Sequence, residues 1–369
     1  MIDQREMLGN VERFTQLCVA PYAEHWESEK SMPREIFQQA GTYGLTRIIV
    51  PEDHGGLGAS VLGLAQVLWK IASVDMACAF ALVVHNNLAA AIARSDNEYL
   101  ITEILPSLLN GDKIGAFLLT EPQGGSDAAA IATYAEKRGG EYIVNGEKAW
   151  VSNGLHADIL SVYAQTENGM LALVIPAETT GIERLPIYSL LGGHALGTAG
   201  FKFDDVRVPL ENLLVREGDG LNAALAGIDV ARINVAAMCC GMLEASLEYA
   251  IDYAKGRRFK DTAITSMQGM QWRFADIATD LAAADALFVR AATTLDETGS
   301  SPVLAAKAKK FATTVAVKRI AECMQSMGAP GLLQAHPLAR HLAFAKMSEY
   351  LDGTTEIQNI VIARSLLNS

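Results

Sequence analysis

The sequence predicts a multidomain α+β protein whose helices and strands lie in separate parts of the chain. Apolar residues recur every three or four positions up to about residue 110 and again after about residue 216, whereas between them the spacing changes to two. The chain has 369 residues, enough for two or three hydrophobic cores. We expect an N-terminal helical domain at 1–110, a middle antiparallel β domain at 111–215 and a C-terminal four-helix bundle at 216–369.

The N-terminal region contains several stretches with helical spacing. Residues 2–22 repeat apolar side chains every three or four positions, which indicates an amphipathic helix. Residues 76–93 are nearly all apolar, so we expect them to form the central helix of this domain. His85 and the two asparagines after it either line a ligand cavity or satisfy one another's hydrogen bonds.

The middle region has the pattern of short strands joined by turns. An Asn-Gly pair at 145–146 lies between strand-like flanks and predicts a hairpin. Residues 159–164 and 171–176 form a second strand pair across a Thr-Glu-Asn-Gly turn, and 201–208 is a further strand. Beyond the Glu-Gly-Asp-Gly junction that follows, helical spacing returns.

Composition excludes several classes of function. The net charge of −12 disfavours nucleic acid as a partner. The sequence shows no uninterrupted apolar run of the roughly 18 residues that a membrane span needs, and residues 1–20 interleave charges with apolar residues, unlike a secretory signal. We expect a cytoplasmic protein. The five scattered cysteines are expected to be buried, reduced thiols.

The stretch between Leu118 and Trp150 carries the first chemical signal. It contains L-L-T-E-P-Q-G-G-S-D and ends on K-A-W, followed by V-S-N-G. Gly124 and Gly125 allow a ligand to approach the backbone closely, while hydroxyl groups nearby can hydrogen-bond to it. A flavin fits these features, with the tryptophan covering one edge of its ring. Ordinary β-turns around a core tryptophan are the alternative for this stretch taken alone.

These two sequence segments resemble motifs of a known protein family. T-E-P-x-G-G-S-D followed by N-G-E-K-x-W-[VI]-S-N-G is similar to the flavin-binding middle domain of the acyl-CoA dehydrogenases, and further matches follow in order along nearly the whole chain. The resemblance implies FAD as cofactor and an acyl-CoA or acyl-carrier-protein thioester as substrate. Electron-transfer flavoprotein is the candidate electron acceptor by analogy. The FAD-binding residues implied here are Leu118, Thr120, Gly125, Ser126, Trp150 and Ser152, with Ser126 also near the substrate.

Asp352 is the implied catalytic base. It lies in Y-L-D-G-T-T-E-I-Q, which resembles Y-E-G-T-x-x-I-Q, where the carboxylate before Gly-Thr is the general base of the family. The resemblance implies that Asp352 removes the Cα proton of an acyl thioester while the Cβ hydride passes to flavin N5. The thioester carbonyl would be polarised by a ribityl hydroxyl and by the Asp352 amide. Taken alone, an aspartate before a helix is an N-cap.

The sequence departs from the family pattern around this base. Aspartate is shorter than the usual glutamate by one methylene, about 1.5 Å of reach, and misplacement of roughly that size can cost about 100-fold in rate. Either a small, cyclic or rigid acyl group lies closer to the base, or the reaction differs. Leu351 also replaces the usual tyrosine, and Ala343-Phe344 replace a common Arg-Asp pair.

Other activities occur on the same fold. Enoyl-thioester reductases and flavin monooxygenases are the alternatives, and a monooxygenase needs no base at position 352, so the acid favours dehydrogenation. A non-catalytic scaffold is a third class, against which the intact flavin-binding motifs argue.

Arg232 belongs to the implied substrate site. Some family members carry their base on the helix that contains G-I-D-V-A-R-I, but the matching position here is Ala231. Arg232 follows it on an apolar helix, where a lone charge is costly, so we expect a carboxylate partner, with Asp352 as one candidate. Asp229 and Gly353 are assigned to the same substrate site.

Two further motifs imply an oligomer. Y-A-K-G-R-R-F-K-D with Gln268 resembles the segment that reaches the FAD pyrophosphate of a neighbouring subunit, and Q-S-M-G-A-P-G resembles the turn that touches the adenosine side. A homotetramer, or at least a dimer, is therefore implied. The additional FAD-binding residues are Arg257, Gln268, Gln325, Gly328, Gly331 and Thr354.

Overall fold

The computed structural model describes residues 4–367. The helices are α1 (Gln4–Phe14), α2 (Ala23–Glu29), α3 (Glu35–Thr42), α4 (Val61–Ala72), α5 (Met76–Ala93), α6 (Leu105–Leu109), α7 (Gly220–Lys255), α8 (Gln268–Thr298), α9 (Pro302–Met327), α10 (Leu338–Ser348) and α11 (Thr355–Leu367). The strands are β1 (Gly115–Leu118), β2 (Tyr134–Arg138), β3 (Glu141–Val151), β4 (Ile159–Thr166), β5 (Gly169–Pro176), β6 (Ile182–Arg184), β7 (Ala199–Pro209), β8 (Leu213–Val215), β9 (Arg258–Phe259) and β10 (Thr262–Ala263).

The N-terminal helices form a bundle around α5. The helix predicted over 2–22 is α1 followed by a π-helical segment, Thr15–Val19, and its first two residues lie outside the described part of the chain. Most of α5 is buried, as its uniform apolarity predicts. Its buried His85 binds backbone groups rather than a cavity, since Nε2 donates to the Leu108 carbonyl (2.8 Å) and Nδ1 accepts from the Gly115 amide (3.2 Å).

Helices α5 and α7 are long and apolar enough to cross a membrane by length and composition alone. Within the fold, 83% of the residues of α5 are buried, as are 61% of those in the most apolar 18-residue stretch of α7. The core helix of a protein meets the same criterion. Burial therefore favours a core role for both, and the expected absence of a membrane span stays a prediction.

The middle domain is one eight-stranded sheet with strand order β6-β7-β3-β2-β4-β5-β8, to which β1 adds by pairing with β4. Most neighbours are antiparallel, but β1 and β2 both run parallel to β4, so the sheet is mixed rather than wholly antiparallel as expected. The predicted pair at 159–164 and 171–176 is confirmed as β4 and β5.

The predicted Asn-Gly hairpin is wrong. Residues 145–146 lie inside the continuous strand β3, where the pairing with β7 shifts register between Val144 and Gly146. Asn145 instead pairs with Asp205, donating from Nδ2 to Oδ1 (3.0 Å) and accepting from the Asp205 amide (2.9 Å). Because Asn145 binds a residue distant in sequence, the backbone forms a β-bulge here instead of a hairpin turn.

Within the described residues, the C-terminal region has five α-helices where four were expected. Helices α7, α8 and α9 are long, and residues 299–301 alone connect α8 to α9, so the chain reverses direction there. The shorter α10 packs on α7 and α9, and α11 packs on α9. The turn between α10 and α11 carries Asp352 against this bundle.

Candidate active site

A buried ion pair holds the two flavin motifs side by side. Glu121 and Lys148 lie 2.8 Å apart, with side chains 2% and 0% exposed. Lys148 also donates to the Leu119 carbonyl (3.0 Å), and the Thr120 carbonyl accepts from the Ala149 amide (2.9 Å). The loop after β1 is therefore fixed to the end of β3.

The pKa values of this pair follow from burial and pairing. Burial alone would raise the pKa of Glu121, but hydrogen bonds from Lys148, Thr133 and Ala132 outweigh it and lower the pKa to about 2. Burial lowers the pKa of Lys148 to about 8, although Glu121 opposes the shift. Both groups are charged at neutral pH.

Trp150 stands at the end of β3 with 55% of its surface exposed and φ of +59°. The ring of Tyr188 stacks on it, with centroids 4.4 Å apart and planes 23° from parallel. Next to it, the half-buried Ser152 precedes Asn153, whose Nδ2 donates to the carbonyls of Ala81 (3.0 Å) and Gly115 (3.1 Å). Asn153 therefore ties the serine to both α5 and β1.

The residues around this loop fit a flavin. Thr120 and Ser152 are partly exposed hydroxyls, and Ser126 is exposed on the same loop as Thr120. A Cβ at Gly125 would lie 2.9 Å from Thr120 Cγ2, so glycine allows the close approach. Leu118 is fully buried in the sheet core, which leaves only its backbone for contact with a cofactor.

Asp352 lies in a strained turn between α10 and α11. Its φ is +51° and that of Gly353 is +93°. The Asp352 carboxylate atom Oδ2 is buried and has no hydrogen-bond partner within residues 4–367. Burial raises the pKa of Asp352 to about 6, with Lys309 and then Arg232 opposing the shift. A carboxylate that has a buried, unpartnered oxygen and such a pKa suits a general base.

Side-chain donors from three helices hold the carbonyls of this turn. Arg232 on α7 donates from Nε to the Asp352 carbonyl (3.2 Å). Gln358 on α11 donates to the Gly353 carbonyl (2.8 Å), and Lys309 on α9 donates to the same oxygen. The base is thus fixed through its backbone.

The carboxylate partner of Arg232 is Asp229, one helical turn earlier, at 3.0 Å. The alternative that Asp352 supplies the carboxylate is wrong, because Asp352 offers its carbonyl instead. Burial raises the pKa of Asp229, with Arg232 opposing the shift. The structure therefore brings together the four residues assigned to one site: Asp229, Arg232, Asp352 and Gly353.

The remaining predicted FAD residues, apart from Thr354 in the base turn, lie away from Asp352. Arg257 and Gln268 are exposed where α7 ends and α8 begins, and Gln325 and Gly328 are exposed at the end of α9. Gln325 lies sixteen positions after Lys309 on α9, about 24 Å at about 1.5 Å per residue. Gly331 is buried, and Thr354 directly precedes α11. Gln325 therefore lies far along α9 from the residue that contacts the base turn.

Four structurally important residues escaped the sequence analysis: Glu121, Lys148, Lys309 and Gln358. The first two and the last stand inside the quoted motifs but carried no assigned role. Lys309 had a signal of its own, since it lies among the buried Ala305, Ala308 and Ala312 on an apolar helix face. A lysine there needs buried partners.

Comparisons with known proteins agree with this geometry. The models of the acyl-CoA dehydrogenase N-terminal, middle and C-terminal domains match residues 2–112, 116–206 and 218–367. The chain belongs to the acyl-CoA dehydrogenase family. It is an FAD-dependent oxidoreductase that acts on the CH–CH bond of acyl-CoA.

Curated relatives include an acyl-CoA dehydrogenase of Bacillus subtilis (strain 168), 36% identical over 99% of this chain and 98% of its own length. The acryloyl-CoA reductase (NADH) of Anaerotignum propionicum is 34% identical over 99% and 94%.

Solved structures that resemble the chain include butyryl-CoA dehydrogenase from Megasphaera elsdenii, with a TM-score of 0.94, 32% identity and coverage of 99% and 98%. Glutaryl-CoA dehydrogenase from Mycobacterium smegmatis in complex with FADH2 has a TM-score of 0.95, 27% identity and coverage of 100% and 95%. A chain solved in work on the electron transferring flavoprotein of Acidaminococcus fermentans has a TM-score of 0.95, 32% identity and coverage of 100% and 99%.

Proposed function

We propose that Asp352 is the base that removes the Cα proton of a compact acyl-CoA. The observation that carries this proposal is the buried Oδ2 atom, which has no hydrogen-bond partner among residues 4–367. An ionisable group kept ready in this way is typical of catalytic sites. With a pKa raised to about 6, the carboxylate is mostly ionised at neutral pH and remains basic enough to accept a proton.

The other residues of the turn would orient the reacting atoms. The Asp352 amide donates to the thioester carbonyl, which stabilises the negative charge that develops when the Cα proton leaves. FAD, when bound, supplies the acceptor for the Cβ hydride. Thr120, Ser126 and Ser152 would hydrogen-bond the cofactor, and Trp150 would pack against it.

The expected substrate is a short or rigid acyl-CoA. An aspartate reaches about 1.5 Å less far than a glutamate. Because Lys309, Arg232 and Gln358 fix the turn, the backbone cannot move forward freely to make up this distance. The similar butyryl-CoA dehydrogenase of Megasphaera elsdenii supports a short chain.

Anaerobic reduction of the FAD-loaded protein tests this proposal. A panel of acyl-CoA and acyl-carrier-protein thioesters is added, and loss of the visible flavin absorbance is followed. We expect the fastest bleaching with a short or cyclic acyl-CoA, and loss of bleaching in Asp352→Asn with FAD still bound. Full-rate bleaching in that variant would reject Asp352 as the base.

Reduction of an enoyl-CoA is a second candidate. The similarity to acryloyl-CoA reductase (NADH) of Anaerotignum propionicum favours it, and a pKa of about 6 allows the same carboxyl group to return a proton. Oxidation of NADH that depends on an added enoyl-CoA would support this direction. Its absence, together with bleaching by a saturated thioester, would support dehydrogenation.

The exposed FAD residues support a homotetramer, or at least a dimer. Gln325 lies about 24 Å along α9 from the residue that contacts the base turn. Arg257, Gln268, Gln325 and Gly328 are all exposed, which suits residues that serve a neighbour's cofactor. Arg257→Ala should weaken FAD retention without changing protomer folding. The flavin-to-protein ratio measures FAD retention, and sedimentation of the wild type measures the oligomeric state; unchanged flavin content in the variant would contradict the assignment.

Electron-transfer flavoprotein is the proposed electron acceptor and the cytoplasm the proposed location. The proposed acceptor is supported by the similarity to a chain whose structure was solved in work on the electron transferring flavoprotein of Acidaminococcus fermentans. Reoxidation of the reduced flavin by added electron-transfer flavoprotein tests the first, and cell fractionation tests the second.

A further inference from the structure

We infer that Lys309 is the positioning residue for the base, because it donates hydrogen bonds to backbone carbonyls on both sides of Asp352. Its ammonium group also supplies a positive charge that faces Asp352 and has no ion-pair partner at hydrogen-bonding length among the described residues. This inference rests on the proposed role of Asp352. Lys309 does not touch the substrate; it acts through the turn that carries the carboxylate.

The position of Lys309 is unusual for a lysine. Its side chain is fully buried near the beginning of α9, in a face made of alanines. Its ammonium group forms no ion pair of hydrogen-bonding length within residues 4–367. Burying a charge without such a partner is unfavourable, so the carbonyl oxygens around it must solvate the ammonium group.

Those carbonyls belong to the turn of the base. Lys309 Nζ donates to the Glu349 carbonyl (3.2 Å), at the end of α10, and to the Gly353 carbonyl, directly after the base. One ammonium group therefore bridges the four-residue step from Glu349 to Gly353. Asp352 has a left-handed backbone within this step, a conformation that an aspartate keeps only when its surroundings enforce it.

The charges around Asp352 single out Lys309. Arg232 also faces the turn, but its guanidinium group is paired with Asp229 at 3.0 Å. Of the two cations that oppose the rise in the pKa of Asp352, Lys309 has the larger effect. The titratable groups of the surrounding elements are Asp229, Arg232 and Cys239 on α7, Lys309 on α9, Glu349 after α10, and Glu356 on α11.

The test uses the full-length, FAD-loaded protein with Lys309→Gln. Lys310→Gln is the matched control, since it removes the same charge one position along α9 from a half-buried side chain. Anaerobic flavin reduction by the preferred acyl-CoA is measured between pH 5 and 9. We expect Lys309→Gln to retain FAD, to move the acid limb of the rate profile upward by about one pH unit and to slow reduction at least about tenfold. The control should show neither change.

An acid limb that stays in place in Lys309→Gln would overturn the inference, because a lysine needed only for stability would not move it. If Lys309→Gln loses FAD, Lys309→Arg replaces it: the charge stays but the longer side chain displaces the turn. We then expect slower reduction with an unmoved acid limb, and a wild-type rate would reject the inference. Loss of FAD in both variants would also reject it, since Lys309 would then be needed to build the fold.

Asp352→Asn separates this inference from the proposal on which it rests. If that variant reduces FAD at the full rate, the proposed base is wrong. If it is inactive while Lys309→Gln behaves like the wild type, the inference on Lys309 alone fails.

Discussion

Replacing Lys148 with methionine should destabilise the protein in a way that depends on pH. Methionine keeps the length of the buried side chain and removes its charge. The Glu121 carboxylate is then left with neutral donors such as the Gln123 side-chain amide and the Ala132 and Thr133 backbone amides (2.5, 2.6 and 2.9 Å). Breaking a buried ion pair on one side costs about 3–5 kcal/mol. Because Lys148 anchors the loop of Thr120, FAD should also dissociate faster.

The magnitude can be estimated from protonation. Without its cation, Glu121 can avoid a buried charge by taking up a proton. The cost is about 1.4 kcal/mol for each pH unit above the ordinary pKa of 4.5. The loss should therefore be limited to about 4 kcal/mol at pH 7.5 and to about 1.4 kcal/mol at pH 5.5.

The wild-type pair contributes no slope over this range. The folded pKa of Glu121, about 2, lies below its ordinary value, so its stabilisation is complete above pH 4.5 and is lost only as the pH falls toward 2. Lys148 has a folded pKa of about 8 and is charged in both states below that pH. In Lys148→Met the folded pKa of Glu121 rises above its unfolded value, so the variant gains relative stability as the pH falls.

Urea denaturation of the FAD-saturated proteins at pH 5.5 and 7.5 measures these differences in the free energy of unfolding. Lys202→Met, which alters an exposed lysine on β7, is the control and should change little. Glu121→Gln combined with Lys148→Met should recover much of the loss, because no buried charge remains. An equal loss at both pH values, or a double variant no more stable than Lys148→Met, would refute the reasoning.

Three other substitutions have defined outcomes. Asp352→Glu adds about 1.5 Å of reach and should slow flavin reduction by the preferred short acyl-CoA by roughly 10- to 100-fold; an unchanged rate would contradict a close-lying substrate. Gly146→Ala places a Cβ 2.6 Å from Thr133 Oγ1 and should cost about 1–3 kcal/mol in urea denaturation, whereas Gly140→Ala meets nothing within 4 Å and should be neutral. Asn153→Ala removes the Nδ2 donor that joins α5 to β1 and should cost about 1–3 kcal/mol, with faster FAD release seen as rising free-flavin fluorescence; normal FAD retention would argue against its role in placing the loop.

The sequence patterns predicted what depends on local spacing. The helices and the antiparallel pair of β4 and β5 follow from the periodicity of apolar residues over a few turns or strand lengths. The parallel pairing of β1 with β4 joins residues about 44 positions apart and leaves no local pattern. The hairpin predicted at Asn145 is wrong for the same reason, since the hydrogen-bond partner of this residue, Asp205, lies 60 residues away.

The candidate site shows the same division between local and distant information. Motif resemblance identified Asp352 and Arg232 as neighbours, and the structure joins them at 3.2 Å. The sequence offers Asp352 as one candidate carboxylate for Arg232, whereas the actual partner is Asp229, one helical turn earlier on α7. Lys309 could not be placed beside the base at all, because it reaches that turn from a helix about 40 residues earlier.

Two buried lysines perform related structural work with different electrostatic consequences. Lys148 fixes the flavin loop through the Leu119 carbonyl, and Lys309 fixes the base turn through the carbonyls of Glu349 and Gly353. Lys148 is neutralised by Glu121 at 2.8 Å, so little of its charge acts at a distance. Lys309 lacks such a carboxylate among the described residues, so its charge acts on Asp352. Loss of Lys148 should therefore weaken folding and FAD retention while leaving the pH profile of flavin reduction in place. Loss of Lys309 should move that profile. Comparing the two variants therefore separates the effect of fixing a loop from the effect of a charge on the pKa of Asp352.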